Sequence, residues 1–308
     1  MDNIVHLFNE EIKQQETKYF IFDTKGTKKG NVDDIDFETY GWNTGQFNKV
    51  REGDLFLYRK PGNASEFKKF YFFGAGKVEK IKKIEGKKVV GIITKPLVFD
   101  NILLSIDLED FIWKFRERKQ GTWEHFFNQY GMNEIFREDF IGILKRAGND
   151  INYTDLNNTR EDADFYNKII KGEYRVDDSV GTVKIRKGQR AFSNKVKLNY
   201  QNKCAITGIN TRCFLVGSHI IPWSEDKNNR LNPRNGICLS SLVDKAFDKG
   251  YITITIDYKV KLSDNLKEDI NLFNVLKGFE GNKIKLPIKG SEPDKEFLEW
   301  HNENIFLK

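Results

Sequence analysis

The sequence predicts an α+β protein with two domains, and three observations lead to this fold class. The chain has 308 residues, enough for about two domains of ordinary size. Its first part contains short runs of aromatic and β-branched residues separated by glycine-containing or charged turns, as in a small β-barrel or curved sheet. Its last part contains an amphipathic helix, then a strand, a loop and a helix-like segment that ends at a glycine.

We expect a first domain over residues 1–147, made mainly of strands with two helices. The predicted strands, each rich in aromatic and β-branched residues, cover 18–23, 54–60, 69–81 and 87–99. Apolar spacing predicts helices over 105–118 and 123–148, and Gly148 is the expected C-cap of the second one.

A polar connector is expected between the two domains. Residues 148–180 are rich in Asn and Asp, and a short helix is predicted there over 160–171. The second domain then covers 181–308 and ends in an aromatic, helix-like segment, to which we assign a packing role.

Composition excludes several classes of protein. Hydrophobic residues make up 39% of the chain and aromatic residues 13%, which excludes a disordered protein. No apolar run reaches the length of about 18 residues that a membrane-spanning helix needs, and we expect no signal peptide. The three cysteines, Cys204, Cys213 and Cys238, include no CxxC pair. We therefore expect a cytoplasmic protein whose cysteines pack, without a disulfide framework or a zinc finger.

The excess of basic charge, +6 in all, is concentrated after the connector. From Ser179 to Ser224 there are eight Lys or Arg and no Asp or Glu. Phe192, Val196 and Tyr200 form an apolar stripe on a predicted helix in this stretch, so its other face is basic. A solvated helix face is one explanation and contact with nucleic-acid phosphates is the other. The candidate contact residues are Lys184, Arg186, Lys187, Arg190, Lys195, Lys197, Arg212 and Arg234.

His219, one of four histidines, lies in the run "GSHIIPW" and begins a spaced polar pattern. Asn235 follows 16 residues later, and Asp244 and Asp248 follow 9 and 13 residues after Asn235. Side chains four residues apart lie on the same face of a helix, so the two carboxylates can share one ion. A histidine on a strand, an asparagine in a loop and two aspartates on a helix predict a compact ββα unit around one divalent cation.

This part of the chain resembles the HNH nucleases, which have the ββα-metal fold. The motifs that carry the resemblance are "CAITG" at 204–208, "SHIIPW" at 218–223, "NGICL" at 235–239 and "KAFDKGYITI" at 245–254. The resemblance implies an endonuclease in which His219 is the general base that activates water. It also implies that Asn235 holds the loop and orients the histidine, and that Asp244 and Asp248 bind the metal.

The sequence departs from the family pattern at two positions. Val243 stands where many members have a histidine, and Ser218 stands where others have an Asp or His metal ligand. Ser218 is therefore the third candidate ligand. Carboxylate oxygens favour Mg²⁺ or Mn²⁺ over Zn²⁺, so one of these two ions is expected. The expected reaction is hydrolysis of a phosphodiester bond that leaves a 5′ phosphate.

The first domain has a fainter resemblance to another family. The runs "YGWNTGQFNKVREGDLFLYRK" and "FYFFGAGKVEKI" are similar to PUA-superfamily domains of the EVE type, which are small β-barrels that bind modified bases. Such a site needs an aromatic wall and a polar edge for the flipped base. Trp42, Tyr58 and Tyr71 are candidates for the wall, and Asp23 or Asn43 for the edge. Aromatic residues in short strands also occur simply as core.

Together the two resemblances imply a modification-dependent restriction endonuclease acting on double-stranded DNA, with modified cytosine among the possible marks. One metal site per chain and two strands to cut imply a homodimer. Two alternatives stay open at this point. One is a conventional sequence-specific restriction endonuclease, and the other is a DNA-binding regulator with a weakened nuclease.

Overall fold

The computed structural model describes residues 6–24, 34–114, 131–148, 156–178 and 182–308. The side chains of 156–158 and 182–184 are not described. The chain divides into two compact units, Met1–Asn167 and Lys168–Lys308. Among the described residues, no helix combines the length and the apolar character that crossing a membrane requires.

The described part of the first unit contains a six-stranded sheet that curls into a half-barrel. Its strands are β1 Tyr19–Asp23, β2 Thr39–Asn43, β3 Leu55–Lys60, β4 Tyr71–Glu85, β5 Lys88–Leu104 and β6 Met132–Ile135. The strand order is β2-β5-β4-β3-β1-β6, in which β1 and β3 run parallel and the other neighbours antiparallel. The four predicted strands are present as β1, β3, β4 and β5, so the mixed fold class is confirmed.

Both faces of the central strands β1 and β3 are covered, which explains why these strands are almost continuously apolar. On one face, Ile21 and Leu57 pack into a core cluster with Phe140. That cluster also receives α1 Asn9–Lys13 through Ile12 and α2 Arg137–Ala147 through Phe140. On the other face, Phe22 stacks on Phe56 with 4.1 Å between ring centroids.

The prediction of two helices after the strands was wrong in part. Within 105–114, the structure has a short 3-10 helix at Ser105–Leu108 and no α-helix, and 115–130 lie outside the described residues. Further on, Met132–Ile135 forms strand β6, and the helix begins only at Arg137. Gly131 has a φ of 146°, which a helix cannot accommodate, and pairing with β1 then holds the next residues extended. The predicted end at Gly148 is confirmed.

The connector contains the predicted helix, which begins earlier than expected, as α3 Leu156–Lys171. Part of this helix belongs to the first unit. The Nδ2 of Asn167 donates a hydrogen bond of 2.9 Å to the backbone oxygen of Asp36, and the Tyr166 ring stacks on Phe73. The division between the two compact units therefore falls within α3.

The second unit contains four helices and two small hairpins among its described residues after α3. The helices are α4 Thr182–Asn199, α5 Ser241–Asp248, α6 Ile270–Leu276 and α7 Lys295–Asn304. The strands are β7 Leu215–His219, β8 Gly236–Ser240, β9 Ile252–Ile254 and β10 Val260–Leu262, paired antiparallel as β7 with β8 and β9 with β10. The predicted stripe on α4 is confirmed, because Phe192, Val196 and Tyr200 are all buried.

Two glycines allow α4 to pack directly on the β7–β8 hairpin. A Cβ at Gly217 would lie 2.6 Å from the Cα of Ser193, and one at Gly236 would lie 2.5 Å from a methyl group of Val196. Such distances leave no room for a side chain at either position. This close approach brings Phe192 of α4 under the end of β7, where His219 lies.

Candidate active site

The β7–β8 hairpin, followed at once by α5, has the ββα arrangement that the polar spacing predicts. The strand register places His219 opposite Gly236 and Ser218 opposite Ile237. Because consecutive strand residues point to opposite faces, Ser218 and His219 project in different directions. His219 stacks on α4, whereas the Ser218 hydroxyl lies close enough to Asp244 of α5 to affect its pKa.

The imidazole of His219 lies between two aromatic side chains. It stacks on Phe192 with 3.6 Å between ring centroids and an angle of 13°. Trp223 approaches edge-on, with 5.7 Å between centroids. These contacts shield the half-buried ring from much of the surrounding water, and this desolvation lowers the pKa of His219 to about 4. The imidazole is therefore neutral at the pH of a cell.

One hydrogen bond determines which nitrogen of His219 can act as a base. The Nε2 atom lies 3.0 Å from the backbone oxygen of Arg230. A carbonyl oxygen only accepts hydrogen bonds, so Nε2 must carry the proton and donate it. In this tautomer the Nδ1 atom keeps its lone pair and can take a proton from water.

Arg230, which the sequence did not single out, anchors the carbonyl that His219 binds. Its buried guanidinium donates to the backbone oxygens of Trp223 at 2.8 Å and Val176 at 2.7 Å. It also forms an ion pair of 2.7 Å with Asp178 and lies 5.2 Å from the centroid of the Trp223 ring. The end of the connector thereby holds the loop that orients His219. No sequence signal distinguishes this arginine from a solvated one.

Asn235 ties the end of β7 to the same loop. Its buried Oδ1 accepts a hydrogen bond of 2.8 Å from the backbone nitrogen of Ile221, and its Nδ2 donates to the backbone oxygen of Ile221 at 3.1 Å. Its own backbone oxygen accepts from Ile220 at 3.0 Å. Asn235 therefore fixes the two residues after His219, as expected of a residue that orients the histidine through the backbone.

Asp244 and Asp248 lie one turn apart on α5 and repel each other. Desolvation and then the charge of Asp244 raise the pKa of Asp248 to about 6. Desolvation also raises the pKa of Asp244, although the nearby Ser218 hydroxyl and the charge of Lys245 oppose this rise. Two close carboxylates that repel each other in this way gain from a shared cation.

The residues at this position fit a divalent ion. The Oγ atom of Ser218 is buried beside the Asp244 carboxyl, whose pKa rise it opposes, and has no other hydrogen-bond partner within the described part of the chain. A hard cation takes oxygen ligands, and Asp244, Asp248 and Ser218 supply them without histidine or cysteine. No three His, Cys, Asp or Glu side chains converge on one point among the described residues. The side chains of Asp244, Asp248 and Ser218 are therefore the ones that could hold such an ion.

The predicted basic residues differ in how far they reach solvent. Arg186 is exposed on α4. Five of the predicted basic residues are half-buried, and each interacts with other groups of the protein. They are Lys187, Arg190, Lys195, Lys197 and Arg212. Arg234 is exposed but forms an ion pair of 3.0 Å with Asp294. The side chain of Lys184 lies outside the described residues.

The structure brings together two of the five residues predicted for a base pocket. Tyr58 stacks on Phe73 with 5.3 Å between centroids, and Tyr71 meets the same ring edge-on at 6.1 Å. Tyr166 of α3 completes this aromatic cluster, stacked on Phe73 at 5.5 Å. Burial raises the pKa of both Tyr58 and Tyr166, and the buried carboxyl of Asp36, not predicted, adds to this rise.

The other three predicted pocket residues have different surroundings. Asp23 is fully buried and forms a two-pronged ion pair with Arg59. Trp42 is buried against Tyr40, with 6.4 Å between ring centroids. Asn43 is exposed, and its Oδ1 accepts a hydrogen bond of 2.8 Å from the backbone of Gly45, as in a turn.

His301, on the C-terminal helix α7, contacts the end of the aspartate-bearing helix. Its ring stacks on Phe247 with 3.8 Å between centroids, and its Nε2 donates to the backbone oxygen of Phe247 at 3.2 Å. Its Nδ1 accepts from the Thr253 hydroxyl at 2.9 Å. The tail therefore packs as predicted, but it packs on the residue that directly precedes Asp248.

The three cysteines are free thiols. The packing role predicted for Cys204 and Cys238 is confirmed, because both are buried in the second unit. For Cys213 the prediction was wrong, since its side chain is exposed where the chain enters β7.

Comparison with known proteins identifies part of the second unit. Residues 204–255 match the family model described as HNH endonuclease, a segment that contains His219, Asn235, Asp244 and Asp248. No curated protein is similar to the chain in sequence. Among solved structures, the modification-dependent TagI restriction endonuclease aligns over 93% of this chain and 81% of its own chain, with 12% identity. Its TM-score of 0.26 is too low to carry an argument. Residues 204–255 thus form an HNH endonuclease domain, whose family implies a DNA substrate and a divalent metal ion.

Proposed function

We propose that this protein is a modification-dependent restriction endonuclease of double-stranded DNA. In this proposal, residues 181–308 cleave DNA, residues 1–147 recognise a modified base, and 148–180 connect the two. The observation that most directly supports cleavage is the tautomer of His219, whose Nε2 is bound to the Arg230 carbonyl so that Nδ1 remains a base. Such an intact base counts against a regulator with an inactive nuclease.

The side chains of the second unit suit hydrolysis of a phosphodiester. The Nδ1 of His219 takes a proton from water as the water oxygen attacks the phosphorus. The bond from phosphorus to the 3′ oxygen breaks, and that oxygen leaves with a proton from solvent. Asn235 and Arg230 keep the imidazole in place without touching it through their side chains. The products are a 5′ phosphate and a 3′ hydroxyl.

Asp244, Asp248 and Ser218 would hold the metal ion in this proposal. A bound Mg²⁺ or Mn²⁺ supplies charge neutralisation at the scissile phosphate and at the leaving oxygen. Water and a DNA phosphate would complete the coordination of such an ion. The hydroxyl of Ser218 is the weakest of the three candidates, because it is neutral.

The basic residues of α4 and its surroundings are the proposed phosphate contacts of the nuclease. Arg186 is exposed and can reach DNA directly. The partly buried basic residues attract DNA through their long-range electrostatic field more than through direct contact with phosphates. We propose the same role for Lys184, from the sequence alone. Arg234 would first have to leave Asp294.

Recognition of a modified base is supported by the PUA-like sequence runs and by the curled sheet of the first unit. We propose Tyr58 and Tyr71 as the aromatic wall, because both belong to the aromatic cluster around Phe73. Trp42, Asp23 and Asn43 remain candidates from the sequence. Since Tyr58 is fully buried, a base could reach it only if the covering residues move.

We also propose that the protein acts as a homodimer. One HNH domain has one candidate base and one pair of carboxylates, so a single chain is equipped to cut one strand at a time. Two copies related by a two-fold axis would place one such site on each strand of a duplex.

The proposal is tested by cleavage of matched DNA substrates. The same plasmid is prepared unmodified, cytosine-methylated, cytosine-hydroxymethylated and adenine-methylated, and each is incubated with Mg²⁺ or Mn²⁺. His219→Ala serves as the inactive control for contaminating nucleases. We expect one modified substrate to be cut, and the cutting to be lost in the variant.

The other outcomes separate the parts of the proposal. Equal cutting of all four substrates rejects the modified-base domain and leaves a conventional endonuclease. Absence of cutting with DNA still bound rejects the nuclease and leaves a binding protein. Analytical ultracentrifugation on DNA, carried out beside the cleavage assay, decides between a monomer and a dimer.

A further inference from the structure

The hairpin formed by β4 and β5 ends in a group of lysines that no site described above uses. The two strands join through Gly86 and Lys87. The ten residues on either side of and within this turn, 79–88, are exposed, apart from the half-buried Ile81. This segment has five lysines and two glutamates. We name the five the hairpin lysines, and they are Lys80, Lys82, Lys83, Lys87 and Lys88.

Among the described residues the hairpin lysines form no ion pair, although two carboxylates lie beside the hairpin. Glu85 is paired with Lys88 in the register of the two strands, and Oε1 of Glu52 accepts a hydrogen bond of 2.8 Å from the backbone nitrogen of Ile81. Lys77 of β4 and Lys95 of β5, in contrast, lie 3.1 Å and 2.7 Å from the buried carboxylate of Glu11. Unpaired like charges repel each other, and a polyanion bound at the turn would relieve this repulsion.

The strand register gathers three of these lysines on one face. Lys80 lies opposite Ile92 and Lys82 lies opposite Val90. Directly opposed residues of an antiparallel pair share a face, and so do residues two apart on a strand. Lys88 precedes Val90 by two residues and therefore belongs to the same face as Lys80 and Lys82.

This face is the solvated one. The neighbouring strand β2 pairs Trp42 with Val89, and both of these side chains are buried on the opposite, inner face. Asn43, which pairs with Lys88, is exposed on the outer face. The outer face of the hairpin end thus presents three exposed ammonium groups, the Asn43 amide and one carboxylate, that of Glu85, so its net charge is positive.

The spacing suits a regular polyphosphate. Lys80 and Lys82 are separated by two strand residues, about 6.6 Å. Duplex DNA carries one negative charge per ~1.7 Å of its axis when both strands are counted, so lysines at this spacing have several phosphates within reach. Lysine binds phosphate as a point charge on a flexible stem and needs no exact orientation. We propose that the outer face of this hairpin contacts the phosphate backbone of duplex DNA.

The inference rests on the DNA substrate of the proposed function and adds a contact surface in the first unit, independent of the base pocket. The DNA is the polyanion already implied for this chain by its nuclease domain. Contact with phosphates carries no sequence or modification preference, so it would hold the first unit on DNA while a base is tested.

The test measures how DNA binding depends on salt. The full chain carries His219→Ala so that DNA is bound without being cut, and the hairpin variant adds Lys80→Gln, Lys82→Gln and Lys88→Gln. The control variant instead adds Lys13→Gln, Lys68→Gln and Lys69→Gln, which removes the same charge from exposed positions outside the hairpin in the same unit. The probes are an unmodified duplex of about 20 base pairs, two helical turns, and its 5-methylcytosine counterpart.

We expect the hairpin variant to weaken binding of both duplexes equally. The slope of log K against log salt should fall by about 0.9 for each lost phosphate contact, or about 2.7 for all three. The control variant should leave the slope unchanged. The thermal unfolding midpoint should be the same in all three proteins, because every replaced side chain is exposed.

Two results would overturn the inference. If the hairpin variant keeps the parent slope, the lysines are merely solvated. If the control variant lowers the slope by the same amount, the effect is one of net charge and not of this surface. The proposed modification dependence is judged separately, from the ratio of the parent's dissociation constants for the two duplexes. A ratio of one rejects that dependence and leaves the slope comparison intact.

Discussion

The low pKa of His219 makes a quantitative prediction for the acid limb of the pH–rate profile. In the proposed mechanism His219 is the general base and must be unprotonated, so the rate at saturating metal should follow the neutral fraction of its imidazole. With a pKa of about 4, about 90% of His219 is neutral at pH 5, whereas an ordinary histidine with a pKa of 6.5 would be about 3% neutral. The structure therefore predicts a rate at pH 5 about thirtyfold higher than a solvated histidine would give.

The perturbation that tests the cause is Trp223→Ala. Trp223 covers the edge of the imidazole, so its removal readmits water and should move the acid limb upward from pH 4 towards 6.5. Phe192 keeps the face of the ring covered, so the shift should be partial. The substitution also removes the ring beside Arg230, and a urea unfolding curve controls for lost stability.

The assay is single-turnover cleavage from about pH 4 to 8, repeated at increasing Mg²⁺ until the profile no longer changes. Saturation is needed because Asp248, with a pKa of about 6, must lose its proton before it can bind an ion. At low metal concentration the midpoint of the acid limb should lie near pH 6, and it should move to lower pH as the metal ion competes with the proton for Asp248. A limb that stays near 6.5 in the wild type at saturating metal would refute the desolvation argument. An NMR titration of His219 gives the same answer without turnover.

Three further predictions concern residues around the site. Asp178→Asn removes the charge that anchors Arg230, so the cleavage rate at saturating metal should fall several-fold. The metal concentration that gives half-maximal activity should stay the same. A change of equal size in the rate and in this concentration would contradict a role through His219. Gly236→Ala places a Cβ 2.5 Å from Val196 and should lower the free energy of unfolding by about 1–3 kcal/mol in urea titrations. His301→Phe keeps a ring that can stack on Phe247 but removes the imidazole that donates to the Phe247 carbonyl, so the affinity for Mn²⁺ should fall. The EPR signal of the free ion measures this affinity. An affinity equal to that of the wild type would mean that the tail only packs.

Acid stability gives a related expectation for the second unit. The folded-state pKa values of His219 and His301 are both about 4, below the value of 6.5 expected when unfolded. Between pH 6.5 and 4 the unfolded chain binds protons that the folded chain does not, so the free energy of unfolding falls as pH falls. His301→Phe should remove one of these two contributions and flatten the slope, which urea titrations at a series of pH values would measure.

Local patterns were sufficient wherever neighbours in sequence decide the structure. The stripe on α4, the helix before Gly250 and the strands β1, β3, β4 and β5 all follow from spacing and residue type. The helix predictions failed at 105–114 and at Met132–Ile135, where apolar spacing compatible with a helix occurs in segments that have another structure. At Met132–Ile135, pairing with β1 and the positive φ of Gly131 overrode the local preference.

The sequence by itself determined the chemical inventory of this protein: one histidine, one asparagine and two aspartates in the order and spacing of an HNH domain. Tertiary structure alone decided what those groups can do. The neutral tautomer of His219 depends on a carbonyl held by Arg230, Asp178 and Val176, and its lowered pKa depends on the covering rings. Desolvation and hydrogen bonds from other parts of the chain set the protonation and the orientation of the His219 imidazole. The spacing of residues along the chain does not determine either property.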